Sequence, residues 1–476
     1  MASGRGRHHD PPGADHQMTL TGNHILVLSA VIAMTVAAGL ALFDPSSLIA
    51  IAALPIVVGG SALLWGVMNG NRFATLLHLF LTAFLMHAVF RIRDYQDKDV
   101  DFQVIIKIVL WITVATVALI HARRWIEMLR NPVNLPCFLF LIWLFLTALV
   151  SPNPTYTLVC AFTVFAGVVF SAYVFVAFKA EEAFATIVLS IMLFCAVSIV
   201  VYFAIPEFGH YVYWVNEERF VSPRLSGISG SANNMALVAA FGLVVTGLYA
   251  REFHRMNRLF VPASVLLCGA ALLMTNSRSP LVMVILILLS VYVFTWKRLY
   301  AGLFVVSVAL LLFAALIPFG QEFLLKAVSR SGDVGEVTSF TGRTEIWYAV
   351  LKLVEAQPLM GYGYASSVFV LPQHASEVGF ATSHAHNVML QLLLTTGWIG
   401  VALFVLTMAG VALRAIVYRD RIAFGMLAFV LLNGITESSG FTTLANICTL
   451  AFGIAVSLPA TTRAYEDHYS YQRRFS

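Results

Sequence analysis

The chain has 476 residues, 59% of them hydrophobic and only 11% charged, with a formal net charge of +5. A soluble protein carries about 25% charged residues and one bilayer span takes roughly 20 apolar ones, so an ordinary soluble domain is excluded and the ceiling is about fourteen spans. The positive balance does not point to nucleic acid, because no block of five like charges occurs anywhere.

Residues 1–23 form a polar tail with Arg5, Arg7, His8, His9 and His16, followed by a long apolar run. A cleaved signal peptide would need a shorter apolar core and a small-residue cleavage site, so the run reads as an uncleaved first span. Apolar stretches then place spans near 25–43, 46–68, 73–90, 102–120, 133–150, 155–178, 183–205, 232–250, 258–275, 280–295, 298–317, 386–413, 421–436 and 441–459. The short runs at 280–295 and 421–436 also fit re-entrant segments, which would leave twelve spans. The expected class is an all-α integral membrane protein, a polytopic bundle of about 12–14 transmembrane helices with one large loop bearing amphipathic helices. Its parts are a tail at 1–23, spans 1–11 within 24–317, a loop at 318–385, spans 12–14 within 386–460 and a tail at 461–476. The five cysteines all lie inside apolar runs, so neither a disulfide framework nor a zinc site is expected.

With the N-terminus inside, 18 of the 29 basic residues fall on inner segments, 10 on outer ones, and Lys107 alone lies within a span. Every short inner loop is then basic, as the retention of positive loops in the cytoplasm requires. Acids divide as 9 inside and 15 outside, leaving the outer face negative on balance. An anion site on that face must be built from a few placed arginines.

Two outer connections exceed turn length, 206–231 and 318–385. The second reads as a helix near 319–328, a polar stretch SRSGDVGEVTSFTG, a helix near 342–356, a turn after Pro358 and an extended approach to SHAHN. In the helix near 342–356, Ile346, Val350, Leu353 and Val354 share one face, with Trp347 and Leu351 flanking it, so it is amphipathic. The loop suits a lid over a site.

Spans 8, 10 and 12 have their N-termini at the outer face. Span 8 follows Arg224 and a Gly/Ser-rich approach to Asn233 and Asn234; span 10 follows Thr275-Asn-Ser-Arg278, with Ser279 as N-cap and Pro280 as first helical residue; span 12 opens with His384, His386 and Asn387. Helix N-termini present free N–H groups and positive potential, and arginine binds phosphate oxygens as a fork. Three such ends beside Arg224 and Arg278 form an outward phosphate or pyrophosphate site. A helix end also disfavours imidazolium, which suits His386 to a general base, although chemistry alone does not separate it from His384. The plainer alternatives are snorkelling arginines and ordinary turns at Asn276 and at Gly361-Tyr-Gly363. No GxGxxG unit, Walker loop, HExxH or GxSxG motif occurs.

The run HAHNVMLQLLLTTGWIG, with His386, Asn387, nine residues, Gly397, two residues and Gly400, resembles the signature of bacterial O-antigen ligases and their polymerase relatives. Arg224 with Asn233, Ser277-Arg278, Gly342-Arg343-Thr-Glu-Ile-Trp347 and Gly361-Tyr-Gly363 stand around it in that superfamily's order, and the likeness covers about residues 220–410. The resemblance implies a glycosyltransferase of the bacterial inner membrane with cytoplasmic termini and a periplasmic active site. The implied donor is a glycan on undecaprenyl pyrophosphate and the acceptor, for a ligase, the lipid A core oligosaccharide. The reaction implied inverts the anomeric carbon and needs no metal, nucleotide or other cofactor. His386 would be the base, Arg224, Arg278 and Arg343 would neutralise the pyrophosphate, and Asn233 and Asn387 would hydrogen-bond glycan or phosphate. His384 and Arg219 complete the candidate set. Arg219, ten residues and Gly230 also fit an arginine–glycine spacing of the polymerases, so both reactions stay open, with ligase favoured by the His-Asn signature and its second glycine. A transporter is the rival from another class, but its ionisable or broken-helix features belong near the membrane midplane, whereas the polar clusters here sit at the outer ends of spans.

Overall fold

The computed structural model describes residues 59–92, 102–120, 126, 132–215, 218–295, 343–375, 382–438 and 440–458. The expected spans at 25–43 and 298–317, the start of the span at 46–68, the helix near 319–328, the polar stretch that follows it and both tails lie outside these residues. The chain divides into two compact units, one of residues 1–77 with 100–106, the other of residues 78–99 with 107–476. In the first, the polar Asn71 ends one apolar helix, Gly59–Met68, and opens the next by accepting from the Ala74 amide at 3.2 Å. The second holds every candidate residue.

The helices follow the apolar runs closely. They are α1 (Gly59–Met68), α2 (Arg72–Leu85), α3 (Phe102–Ile120), α4 (Leu135–Leu146), α5 (Pro154–Ala177) and α6 (Ala180–Ala204), then α7 (Ala232–Leu248), α8 (Ala250–Met256), α9 (Phe260–Met274) and α10 (Arg278–Thr295). After the large loop begin α11 (Arg343–Ala356), α12 (Ser367–Gln373), α13 (Val388–Tyr418), α14 (Arg421–Thr436) and α15 (Ile447–Leu458). Among the described residues, α5 over Pro154–Phe175, α6 and α13 are long and apolar enough to cross a membrane, and α7 with α8, bent by 81°, makes a fourth if the pair is one span. The expected count of twelve to fourteen thus rests on shorter apolar helices and on stretches outside the described residues.

The class is helical, with one addition. Residues 210–215 and 218–225, expected only as part of an outer connection, form an antiparallel hairpin of β1 (His210–Val215) and β2 (Glu218–Leu225). Its β-branched and aromatic content favours strand, and Pro223 is tolerated because a two-stranded sheet has only edges.

Helix α7 is the buried axis of the bundle. Ala236, Ala239, Ala240 and Gly242 have so little side chain that α6, α9 and α10 approach closely, and Met235, Phe241 and Val244 are fully enclosed. A second knot joins α4, α13 and α15 through Phe140, Phe404, Phe441 and Phe452, whose ring centroids lie 5.2–6.3 Å apart. Arg414, one residue past the expected span at 386–413, is counted among the inner-loop basic residues in the sequence reading, and the structure corrects that. Helix α13 runs on to Tyr418 and stops at Arg419 in the left-handed conformation, so Arg414 is buried inside it with Nη2 donating to the Val456 carbonyl at 3.2 Å.

Helix α13 is broken at Gly397, whose φ of 65° and ψ of −171° are not helical. The loop after α11 fills the break. The Trp398 amide donates to Pro358 O at 2.8 Å, the Tyr362 amide to Leu394 O at 2.9 Å, and the Trp143 indole to Thr396 O at 2.9 Å. Each freed backbone group would otherwise cost several kcal/mol in an apolar medium. A Cβ on Gly397 would sit inside the Leu359 carbonyl, and one on Gly361 would press on the Leu394–Thr396 backbone. These signature glycines are therefore packing requirements, and the backbone region of Gly397 is essentially closed to other residues.

Gly397→Ala should lower the detergent-solubilised melting temperature by many degrees or prevent accumulation of folded protein. Gly269→Ala, where a Cβ meets nothing within 4 Å, should leave it unchanged or raise it slightly. Equal melting temperatures for the two variants would refute the packing account.

Candidate functional site

The site gathers at one end of the bundle, where α7, α10, α11 and α13 begin and α14 ends. The amphipathic helix expected near 342–356 is α11, and Ile346, Val350 and Val354 are buried as expected, joined by Ala349, against Leu371, Leu393 and Leu394. That seating brings Arg343, its first residue, to the end of α14. Helix α10 begins at Arg278, so Ser279 and Pro280 lie in its first turn and Ser279 is not the residue before it.

Glu437, immediately after α14, is the hub. Its Oε1 accepts from Arg343 Nη2 at 3.2 Å and from Asn233 Nδ2 at 3.1 Å, and its Oε2 lies 3.1 Å from His386 Nδ1. Asn233 Oδ1 in turn accepts from Arg224 Nη2 at 3.1 Å and from the Ser277 hydroxyl at 3.3 Å. Arg224 is held by two further acceptors, the Thr275 carbonyl at 2.8 Å from Nε and Ser277 Oγ at 2.9 Å from Nη2. One continuous hydrogen-bonded chain thus joins Arg224, Asn233, Glu437, Arg343 and His386, drawn from five separate elements.

The backbone at His386 is fixed from both sides. Ala385 accepts from the Trp347 indole at 3.0 Å and donates to Gln391 Oε1 at 3.0 Å, and Gln391 is itself tied to Ser367 Oγ at 2.7 Å. His386 takes φ of 51°, a region in which a non-glycine residue is uncommon although histidine is among the more tolerant. With Nδ1–H donated to the Glu437 carboxylate, Nε2 carries the lone pair.

His384 has a different setting. Its Nδ1 faces the Ser383 hydroxyl at 3.1 Å and its ring lies 4.0 Å from that of His386. Burial, helped by the neighbouring His386 and Arg343, pulls its pKa down to about 4, so it is neutral at pH 7. Burial pushes the Glu437 carboxyl up, but the hydrogen bond from His386 and the positive charges around it outweigh this and hold it below the usual value of 4.5.

The sequence-derived set divides. Arg224, Asn233, Arg343, His384 and His386 are brought together. Arg278 is exposed beside Ser277, the residue that meets Arg224. Asn387 is used by the helix: its Oδ1 caps α13 by accepting from the Met389 and Leu390 amides at 3.0 and 3.1 Å, and its Nδ2 donates to Ile435 O at 3.2 Å. Arg219 lies in β2 opposite Trp214. Glu437 is the residue the sequence reading did not single out. The only signal it carries is an acid directly at the end of an apolar run, where burial demands a paired charge.

His384, His386 and Glu437 each offer a ligand atom, all within 4.8 Å of one another. A divalent ion could use that spacing, but the Arg343 guanidinium on the same carboxylate opposes a second cation there.

Residues 263–405 match the family model described as O-antigen ligase. The matched stretch contains Arg278, Arg343, His384, His386 and the signature glycines, and it supports the O-antigen ligase and polymerase superfamily for this chain. No curated protein matches the chain.

Because the Glu437 carboxyl is held below its ordinary value, its contribution to stability is complete above pH 4.5 and is lost as the pH falls through its lower, native value. Unfolding curves of the wild type should therefore show an acid-dependent loss below pH 4.5. In Glu437→Gln that portion should be missing; an identical acid profile in the variant would contradict the hub assignment.

Proposed function

On this superfamily match and on the Glu437–His386 contact, we propose that the chain is an O-antigen ligase. It transfers a glycan from undecaprenyl pyrophosphate to the lipid A core oligosaccharide on the periplasmic side of the inner membrane. The observation that carries the chemistry is His386 Nδ1 at 3.1 Å from a carboxylate, which leaves Nε2 as the base. The acceptor hydroxyl attacks the anomeric carbon from the face opposite the pyrophosphate and gives its proton to Nε2. The bond between the anomeric carbon and the phosphate oxygen breaks with inversion, and undecaprenyl pyrophosphate leaves with the electron pair. Glu437 stabilises the imidazolium that forms. Arg224, Arg278 and Arg343 neutralise charge as it develops on the leaving group, and the anchored Arg224 fixes the direction of approach.

The polymerase reading uses the same chemistry with a second lipid-linked glycan as acceptor. The His-Asn signature with both glycines favours the ligase. Purified protein given lipid-linked glycan and lipid A core should place product on the core, whereas chain extension on the carrier would establish polymerase. Activity should persist in excess chelator, since the proposed steps use only side chains.

His386→Ala should abolish transfer while the protein still folds and inserts. Glu437→Gln keeps the hydrogen-bond geometry but not the charge, and removal of such an orienting carboxylate costs up to about 10⁴ in kcat in the serine-protease triad. A loss of at least about tenfold is expected here, and unchanged kcat in either variant would sink the base assignment.

Arg224→Lys and Arg343→Lys should restore little of the activity lost in the Ala variants, because a point charge replaces a planar fork, which at Arg224 is shared among three acceptors and at Arg343 is held on Glu437. Donor titration of each variant measures this. Full activity of both Lys variants would mean that the arginines serve only as charges.

A further inference from the structure

The hairpin of β1 and β2 carries an aromatic row that the transfer chemistry does not use. In its register Tyr211 faces Ser222 and Tyr213 faces Phe220, so Tyr211, Tyr213, Phe220 and Ser222 share one side, and beyond the irregularity between His210 and Tyr211 the contact with Tyr211 brings Arg224 to the end of the row. The Arg224 guanidinium lies over the Tyr211 ring at 5.3 Å, Tyr211 and Tyr213 are 5.8 Å apart and nearly parallel at 19°, and Tyr213 and Phe220 are 5.6 Å apart at 21°. The row runs outward from Arg224, and its far members are open, Tyr213 at 38% and Phe220 at 39% exposure.

We propose that this face binds the glycan of the lipid-linked donor, as a stacking platform for neutral sugars beyond the one joined to the pyrophosphate. Sugar rings present flat C–H faces that pack on aromatic rings, while tyrosine hydroxyls at the edge meet sugar hydroxyls. The occupant follows from continuity: a glycan whose pyrophosphate lies at Arg224 is covalently held at the inner end of the row. This inference rests on the proposed assignment of Arg224 to the pyrophosphate. In this row the rings pack on one another and on an arginine. The base of the hairpin is fixed, with the Ser226 amide donating to Gly209 O at 2.9 Å and the His210 ring 4.5 Å from that of Tyr202, so the platform is held in place.

The test uses full-length protein in nanodiscs, titrated with the free oligosaccharide released by mild acid from the lipid-linked glycan of the source cells. Tyr213→Ala and Phe220→Ala should each weaken binding by about tenfold, the scale of one lost aromatic contact. Tyr213→Phe, which keeps the ring and loses only the hydroxyl, should weaken binding less than Tyr213→Ala, and Val221→Ala, on the opposite side of the hairpin, should bind as the wild type does. With the lipid-linked donor, the two Ala variants should raise KM with little change in kcat. Failure of the wild type to bind the oligosaccharide, equal binding by all variants, or differences that follow nanodisc lipid composition alone would each overturn the platform. A wild type that binds oligosaccharide through Tyr213 and Phe220 but forms no covalent product from the lipid-linked donor supports the platform and refutes the transfer reaction instead.

Discussion

A carboxylate placed where an apolar helix ends must be paired or it will not stay charged. Glu437 meets that requirement through Arg343, Asn233 and His386 at once. Each partner is brought by a different part of the chain: the large loop delivers Arg343, the buried axis helix delivers Asn233, and the broken helix α13 follows directly on His386. Satisfying one half-buried charge therefore fixes the mutual position of three elements. Asn233 extends the constraint to Arg224, since its amide donates to Glu437 and its carbonyl oxygen accepts from the guanidinium. The electrostatic hub and the orientation of the candidate base are one arrangement.

The break in α13 supports this arrangement from below. A continuous helix would leave no place for the segment from Pro358 to Tyr362, and without that segment α11 would have no fixed seat above the bundle. Trp143 closes the break from α4. Gly361 and the signature Gly397 thus act through backbone approach and carry no side-chain chemistry.

Much of the fold was legible because span-forming stretches depend on local composition. The observed helices at Phe102–Ile120, Pro154–Ala177 and Arg421–Thr436 fall within one residue of the apolar runs read from the sequence. The amphipathic face of α11 was legible for the same reason, a period of 3.6 residues being a local property. The hairpin was not, since its strands are short, lie between two turns and contain a proline. Arg414 was misplaced because a helix continues as long as its backbone bonds do, and a single arginine does not end it. In the site, His386, Arg224, Arg343 and Asn233 were found through family spacing and position at span ends. Glu437 has no such marker: its importance comes from partners far away in sequence, and a pattern scan along one dimension carries no trace of them. Asn387 shows the converse, a polar residue in a suggestive place whose hydrogen-bonding capacity is already spent on the helix beginning beside it.

The left-handed backbone of His386 has a cost for the protein as a whole. A residue with a Cβ held at φ of 51° carries about 1–2 kcal/mol of conformational energy, sustained here by the clasp on Ala385 and by the carboxylate. Asparagine or glycine at the same position would relieve part of that energy while removing the proposed base. Selection for thermal robustness alone would therefore drift away from histidine at this position. On the proposed mechanism, its presence marks a place where turnover outweighs the gradient of stability.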